Sequence, residues 1–224
     1  ALVYGPDDEE SRLNINSASP EQLTGFPGIP TVLAEAIVSF RRDLQEEQDS
    51  KNENSEKDDA AGMVSGEVSD TESAEKNSLI QGPIRSLHQL LAVEGMSEEL
   101  LFQGSDENKP LIRYLTTMSS GKVNVNSAPA AVLAAAGLNE GQVNSVLAQR
   151  DESSFESLAN LFSAINLSQD SKKRQRLEKV LDVRSTTFRL HVRANLPGST
   201  RYHHVRASLF NDGEALRFVR WQEY

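Results

Sequence analysis

Residues 13–23 read "LNINSASPEQL", and a close copy of this phrase, "VNVNSAPAAVL", recurs at residues 123–133. Two asparagines, the Ser-Ala pair that follows them and a later leucine agree between the copies at a constant spacing. The matched pairs are Asn14/Asn124, Asn16/Asn126, Ser17/Ser127, Ala18/Ala128 and Leu23/Leu133. Agreement at several positions with one spacing indicates an internal repeat. The sequence therefore predicts two related subdomains.

The similarity between the copies continues past this phrase. Each copy has an apolar helical stretch that ends in Arg-Asp, and then a stretch with the pattern apolar-x-Ser-Leu-x-x-Leu-apolar. These stretches are residues 34–43 and 84–91 in copy one and residues 144–153 and 155–162 in copy two. Between the Arg-Asp pair and the second stretch lie 40 residues in copy one and only 3 in copy two. Copy one therefore carries an insertion.

The insertion holds most of the net charge of −10 of this 224-residue chain. Residues 44–83 contain eleven acidic residues and three lysines, whereas residues 170–224 contain twelve Lys and Arg against six Asp and Glu. The insertion has no aromatic residue and few large apolar ones, so it cannot bury enough surface to offset the entropy of ordering. We predict that residues 44–82 are disordered.

Each copy is predicted to begin with a short extended segment and to continue into capped helices. Apolar residues alternate with the asparagines, which is typical of a strand with one apolar face. In copy one Ser19 caps a helix with Pro20 at its first position and Gln22 to complete a capping box. In copy two Ser127 is the predicted cap. The next helices are predicted to begin at Asn139, at Ser86 and at Ser157.

From residue 186 the apolar period changes to two. The segments "TTFRLHVRANL", "RYHHVRASLF" and "ALRFVRWQEY" are separated by the turn sequences "PGST" and "NDGE". This pattern predicts an antiparallel meander of three strands with one apolar face. Such a face needs a covering element.

Candidates for catalysis or metal binding are few. There is no cysteine, so disulfides and thiolate metal sites are excluded, and of the four histidines the neighbours His203 and His204 lie on opposite faces of a predicted strand. The acidic runs "DDEE" at residues 7–10 and "DEN" at residues 106–108 offer oxygen ligands for calcium, but neither has EF-hand spacing. We interpret both as solvated loops. We expect no catalytic activity.

One local motif suggests nucleic-acid binding. "LTGFPGIPTVLAEAIVSF" at residues 23–40 resembles a helix-hairpin-helix module, whose hairpin amides commonly hold a DNA phosphate. Here Pro30 removes one amide donor and no Lys or Arg follows before Arg41, while copy two lacks the Pro-Gly-Ile hairpin. A structural role for Gly28 and the hairpin is the favoured interpretation. The basic run "KKRQR" at residues 172–176 is interpreted as the solvated face of a helix.

Taken in order, several blocks resemble protein K of the general (type II) secretion pathway. They are "DDEESRLNINSAS", "SLHQLLAVEGMSEELL", "VNVNSAPAAVLAAA", "SVLAQRDESSFESLANL" and the closing meander. The chain departs from the family pattern in "SFRRD" at residues 39–43, where the family commonly has Asp-Trp-Arg-Asp, and in the acidic insertion. The resemblance implies a minor pseudopilin of α+β class, in which a pilin-like antiparallel sheet packs on an N-terminal apolar helix and carries a large inserted helical domain.

The resemblance also implies a domain plan, partners and a location. Residues 1–12 and 184–224 would form the pilin-like part, with "ALVYG" as an early strand, and residues 13–183 the helical domain, whose repeats cover about 13–104 and 123–167. The partners would be I-type and J-type minor pseudopilins, at the tip of a periplasmic pseudopilus, with an anchor in the inner membrane. Some members bind calcium, through ligands that the resemblance does not place here. From the residues themselves we expect Asn14, Asn16, Asn124 and Asn126 to be structural, with Ser17 and Ser127 beside them.

Overall fold

The computed structural model describes residues 6–59, 82–105, 109–167, 172–194 and 202–223. It combines α-helices with an antiparallel sheet, as the sequence predicted. The predicted early strand at residues 1–5 lies outside the described residues.

The helices are short, with one exception. They are α1 (Pro20–Leu23), α2 (Thr31–Asp59), α3 (Ala130–Ala135), α4 (Glu140–Glu152), α5 (Leu158–Ala164) and α6 (Lys172–Val180). Short 3₁₀-helices lie at Glu9–Ser11, Leu87–Ala92 and Leu111–Arg113, and a π-helical turn lies at Glu99–Gln103.

The strands form one larger sheet and two minimal pairs. They are β1 (Asp7–Asp8), β2 (Leu13–Asn14), β3 (Leu115–Thr116), β4 (Val123–Asn124), β5 (Leu181–Asp182), β6 (Thr187–Ala194), β7 (His203–Asn211) and β8 (Leu216–Glu223). The predicted meander is β6–β7–β8, and β1 extends it to the order β1-β6-β7-β8, antiparallel throughout. The sheet formed by the last three strands of the chain therefore has a strand from near the start of the chain, β1, at one edge.

The repeated phrase enters each repeat as one strand of a parallel pair. Leu13 of β2 pairs with Leu115 of β3, and Val123 of β4 pairs with Leu181 of β5. Both partner strands lie beyond the repeat ranges predicted from the sequence, because two-residue strands without a period give no recognisable pattern. Each repeat is thus closed by a strand from its own far end.

The capping signals are confirmed in most places. Ser19 and Asn139 each form a capping box, with Gln22 and Gln142 respectively. Ser86 caps Leu87–Ala92 and Ser157 caps α5. The prediction for Ser127 is wrong, because Pro129 occupies the cap position of α3 and makes no side-chain cap bond.

Helix α2 is longer than predicted. The sequence suggested an end at Arg42–Asp43, yet the helix runs to Asp59, so predicted disorder does not hold for residues 44–59. The rest of the insertion, at residues 60–81, lies outside the described residues. Where the chain returns, Gln48 Nε2 donates to the carbonyl of Pro83 at 3.3 Å. The described margins of the insertion therefore meet in space.

Both repeats contribute to one hydrophobic core. Its fully buried members include Leu13, Ile15, Leu23, Phe26 and Ile37 from the first copy and Val123, Val125, Leu133, Val146 and Phe162 from the second. The α1–α2 hairpin and the α3–α4 hairpin touch at Gly25, where an added Cβ would lie 2.8 Å from Ala135 Cα. No described helix is long and apolar enough to cross a bilayer.

The second copy keeps more of the hairpin than its sequence suggested. Gly137 has φ +108° and is followed by buried Leu138, as Gly28 has φ +86° and is followed by buried Ile29. The expectation that copy two lacks the hairpin is therefore wrong. The two hairpins differ by one residue in length, which shifts the spacing of matched positions from 110 to 109.

Gly25→Ala should destabilise the fold, because its methyl group would push against the backbone of α3. Overpacking of this kind costs about 1–3 kcal/mol. The matched control is Gly141→Ala in α4, where an added Cβ would lie no closer than 3.6 Å to another side chain, and alanine stabilises a helix by about 0.5–1 kcal/mol over glycine. Urea unfolding measures both, and a Gly25→Ala variant as stable as Gly141→Ala would contradict the close contact.

Candidate functional site

The second asparagine of each repeated phrase holds three separate segments together. In copy two, Asn126 Nδ2 donates to the carbonyls of Phe155 and Val183, both at 2.9 Å. Its Oδ1 accepts from the amide of Phe155 at 2.8 Å. One planar amide therefore satisfies three backbone groups on two other segments. We call this arrangement the asparagine bracket.

Copy one repeats the asparagine bracket with equivalent partners. Asn16 Nδ2 donates to the carbonyl of Ile84 at 2.9 Å and to that of Thr117 at 3.1 Å. Its Oδ1 accepts from the amide of Ile84 at 2.9 Å. Gly82 lies directly beside this side chain, with room for no Cβ. The bracket in copy one thus joins residues on either side of the insertion, since Asn16 precedes it and Ile84 follows it.

The first asparagine of each phrase shapes the turn that follows. Asn14 and Asn124 are 3% and 7% exposed. Their Oδ1 atoms accept from the amides of Asn16 and Asn126, both at 2.9 Å. The side-chain NH₂ groups diverge: Asn14 donates to the carbonyl of Ser119, and Asn124 to a serine hydroxyl. The structural role expected of these two asparagines stays a prediction.

In each repeat an arginine of the second helix, α2 or α4, donates hydrogen bonds to two carbonyl groups in the turn that follows the strand. Arg41 donates to the carbonyls of Ile15 and Ala18 at 2.8 and 2.9 Å. Arg150 donates to the equivalent carbonyls of copy two, at 3.4 and 2.6 Å. The Arg-Asp alignment had matched Arg150 to the neighbour of Arg41, so it is one residue out of register. Burial lowers the pKa of Arg41, although its guanidinium stays charged.

The remaining predicted structural residues are less alike. Ser17 Oγ donates to the carbonyl of Asn14 at 3.4 Å, within its own turn. Ser127 Oγ instead donates to the carboxylate of Asp8. At Gly28 an added Cβ would lie 2.7 Å from Leu100 Cδ1, in addition to the strain of a positive φ. The hairpin tip is therefore packed against the chain itself.

Two residues of the "DDEE" run, Glu9 and Glu10, are buried, so the interpretation of the run as a solvated loop is wrong for them. Glu9 is 0% and Glu10 is 1% exposed. Glu9 Oε1 lies 2.6 Å from Arg189 Nε of the sheet, and its Oε2 lies 3.3 Å from Arg12. Oε2 also accepts from the hydroxyl of Thr116 in β3. Glu9 thus joins the sheet to the first repeat.

Glu10 is a buried carboxylate that is held by neutral donors. It accepts from the amide and the hydroxyl of Thr186, at 2.5 and 2.7 Å, and from the amide of Ser120 at 3.2 Å. Hydrogen bonds to a charged acceptor are about twice as strong as neutral ones, which offsets the cost of burial. Glu10 therefore ties the start of the sheet to the loop between the repeats.

Asp8 completes this acidic junction, which we define as residues 7–10. Its Oδ2 accepts from Ser185 Oγ at 2.6 Å, from Asn124 Nδ2 at 3.3 Å and from Ser127 Oγ. The carboxylates of Asp8, Glu9 and Glu10 are occupied by protein donors, and two guanidiniums oppose a cation at Glu9. A calcium ion does not fit here.

No other metal site is apparent in the part of the chain that the structure describes, where no group of three or more His, Asp or Glu residues could hold a metal. The "DEN" run at residues 106–108 lies outside that part. The acidic junction was missed as a site because the sequence gives no sign of which donors reach it.

Comparisons with known proteins agree with this architecture. Residues 123–184, which hold the whole second repeat, match the family model of type II secretion system (T2SS), protein K. The fold is similar to that of a chain in the crystal structure of the GspK-GspI-GspJ complex from the enterotoxigenic Escherichia coli type 2 secretion system. That match has a TM-score of 0.60 and 14% identity, and it covers 98% of this chain and 78% of that chain. No curated protein matches the chain in a sequence search.

The fold and the duplicated asparagine bracket define an α+β protein with a terminal antiparallel sheet and two related helical repeats. The predicted resemblance to protein K of type II secretion, a minor pseudopilin, is confirmed by the family match and by the similarity of fold.

Asn126→Ala and Asn16→Ala should each destabilise the protein, because either change leaves two carbonyls and one amide without their partner. An unsatisfied buried group costs about 1–3 kcal/mol, so we expect a loss of roughly 2–4 kcal/mol. Asn144→Ala, at an exposed position of α4, is the control and should change stability by less than about 0.5 kcal/mol. Thermal unfolding measures the three variants. Equal melting temperatures would refute the bracket.

Glu10→Gln keeps the shape of the side chain but replaces one acceptor oxygen by an NH₂ group. In either orientation that group would face a backbone amide, of Thr186 or of Ser120. We expect a loss of about 1–3 kcal/mol. Glu94→Gln, at an exposed position, should be neutral. Urea denaturation at pH 7 compares them, and a stable Glu10→Gln protein would argue against the junction.

Proposed function

We propose that this chain is the periplasmic part of a minor pseudopilin that caps the tip of the type II secretion pseudopilus and binds I-type and J-type pseudopilins there. It acts in assembly and protein export through protein–protein contacts and carries out no reaction. The observation that carries this proposal is the protein K family match over residues 123–184, which coincides with the complete second repeat. The similarity to a chain of the GspK-GspI-GspJ complex supports the choice of partners.

The terminal sheet supports the pilin-like part of the proposal. One of its faces carries Phe188, Leu190 and Val192 of β6, opposite Leu209, Ala207 and Val205 of β7. On the same face of β8, Phe218 and Trp221 are 64% and 54% exposed, with their rings 5.6 Å apart. An exposed apolar patch of this kind indicates an interaction site. In the proposed assembly an apolar membrane-anchoring helix of the protein covers it.

The helix-hairpin-helix alternative is less well supported. Gly28 packs against Leu100, which occupies the space above the hairpin tip. The pocket beside it is lined by Glu99 and Lys109 among polar and apolar groups, so opposite charges offset each other there. A phosphate grip needs open amides and a surplus of positive charge. We therefore favour assembly over DNA binding.

The chain should form a stable complex with the soluble domains of the I-type and J-type pseudopilins of the same organism. Size-exclusion chromatography with light scattering would detect a 1:1:1 complex, and omission of either partner identifies which one contacts this chain. The comparison arm is a titration with duplex DNA at two salt concentrations. No complex, together with DNA affinity that falls steeply with salt, would overturn the proposal.

A further inference from the structure

A cleft lies between strand β8 of the terminal sheet and the first repeat. Its volume is about 200 Å³, and the residues that line it are Ile84, Arg85, Thr117 and Met118 of the repeat and Val219 and Arg220 of β8. This volume is several times the roughly 30 Å³ that one water molecule takes up, so a side chain of a binding partner fits inside. We call this space the arginine cleft, after Arg85 and Arg220.

The wall that the first repeat contributes is held in place by the asparagine bracket. Asn16 bonds to the amide and the carbonyl of Ile84 and to the carbonyl of Thr117, so one side chain anchors two of the lining residues. Ile84 is 0% and Thr117 is 7% exposed. The amide of Arg85 in turn donates to Gln89 Oε1 at 2.8 Å. This side of the cleft is therefore preorganised, and a ligand does not have to order it.

The wall that β8 contributes lies at a β-bulge. The register of β8 against β7 shifts beside Ser208, whose partner is Arg220, and Val219 lies opposite no residue of β7. A bulge bends the strand and changes the direction in which its side chains point. Arg220 Nη1 donates to the carbonyl of Arg85 at 3.4 Å, so it connects β8 to the first repeat at this point.

The charge of the arginine cleft is positive. Of the described residues that line it, two are arginines and none is acidic. Among the residues that the structure describes, neither of these guanidiniums pairs with a carboxylate, and the partner of Arg220 is the neutral carbonyl of Arg85. Two like charges in one cleft repel each other, and a carboxylate between them replaces repulsion by attraction. Because the planar fork of arginine binds carboxylates in a bidentate manner, a carboxylate is the ligand that fits.

The second repeat carries the opposite charge at the equivalent position. In the alignment of residues 84–91 with residues 155–162, Arg85 corresponds to Glu156, which is also exposed. Both repeats form the same asparagine bracket, so the fold accepts either sign of charge there. A cation at residue 85 is therefore not a requirement of the repeat architecture, which leaves it available to a ligand.

We propose that the arginine cleft binds a carboxylate side chain of a partner pseudopilin, between Arg85 and Arg220. The inference rests on the proposed function and names a site on this chain at which the assembly is fixed. A polyanion such as DNA or an anionic bilayer is repelled by a chain with a net charge of −10, whereas a single carboxylate senses mainly the two local cations. Arginines that pair with a partner in a preformed pocket are common hot spots of protein interfaces.

The test is a double charge reversal, Arg85→Glu with Arg220→Glu, in the whole 224-residue chain. Both side chains are exposed, so the fold should be retained, and circular dichroism checks this. We expect the affinity for the I-type and J-type domains to fall by about tenfold or more at low salt, and no longer to weaken as salt is added. The matched control, Arg42→Glu with Arg113→Glu, makes the same change of charge at exposed positions of the helical part and should leave the affinity within about threefold.

A second measurement identifies the source of the carboxylate. The Nε–H signals of Arg85 and Arg220 in NMR spectra should move when the partner domains are added. Without a partner, the same signals should be unaffected when the four acids of residues 60–81 are replaced by their amides, at Glu67, Asp70, Glu72 and Glu75. A shift caused by these replacements would assign the cleft to the acidic insertion of the chain itself and overturn the inference.

The outcomes separate the two proposals. If the unmodified chain binds neither domain, the proposed function fails, and the inference that rests on it fails too. If it binds, and the double reversal binds as well as the control, only the arginine cleft is refuted. If the double reversal does not fold, Arg85→Glu alone gives the same comparison, because the second repeat folds with a glutamate at the equivalent position.

Discussion

The architecture of both repeats depends on a single primary amide in each. Two-residue parallel strands make too few hydrogen bonds to hold distant segments in place. The asparagine bracket adds three bonds at the point where these segments meet, and it does so from one rigid group. Aspartate lacks the donor and serine lacks the reach, so asparagine is the residue that fits a site with two carbonyls and one amide.

The acidic junction imposes the same kind of constraint between larger parts. Within four residues, Glu9 contacts Thr116 of the first repeat and Arg189 of the sheet, while Asp8 contacts Asn124 of the second repeat. Glu9 has its full set of partners only when the sheet and the first repeat are in place, and Asp8 only when the second repeat is in place. Removal of one donor would leave buried charge unpaired, which costs far more than the net value of a hydrogen bond. The junction therefore makes the arrangement of sheet and repeats cooperative.

The sequence predicted those features that are determined by neighbouring residues. The capping boxes at Ser19 and Asn139 and the three-stranded meander each depend on residues close together in the chain, and the structure confirms them. What it missed depends on distant partners. The pairing of Leu13 with Leu115 and the burial of Glu9 and Glu10 follow from donors about one hundred or more residues away. The prediction of Ser127 as a helix cap fails for the same reason, since its hydroxyl donates to the distant Asp8.

At the candidate site, too, the sequence predicted local features and missed the distant partners. The asparagines were singled out because they recur, but repetition alone does not reveal their partners. Helix α2 passed its predicted end because an acidic, helix-compatible sequence continues a helix that the core has already nucleated.

The contact between Gln48 and Pro83 has a consequence for how the two repeats could diverge in length. Because a native contact holds the margins of the insertion together, a flexible addition between Gln48 and Pro83 would cost only the entropy of closing a longer loop. That entropy grows with the logarithm of length, at about 0.6 kcal/mol for each doubling. The first repeat can therefore gain or lose residues at this point almost without cost to the fold. The insertion is therefore a position where new sequence can accumulate during evolution while the core stays unchanged.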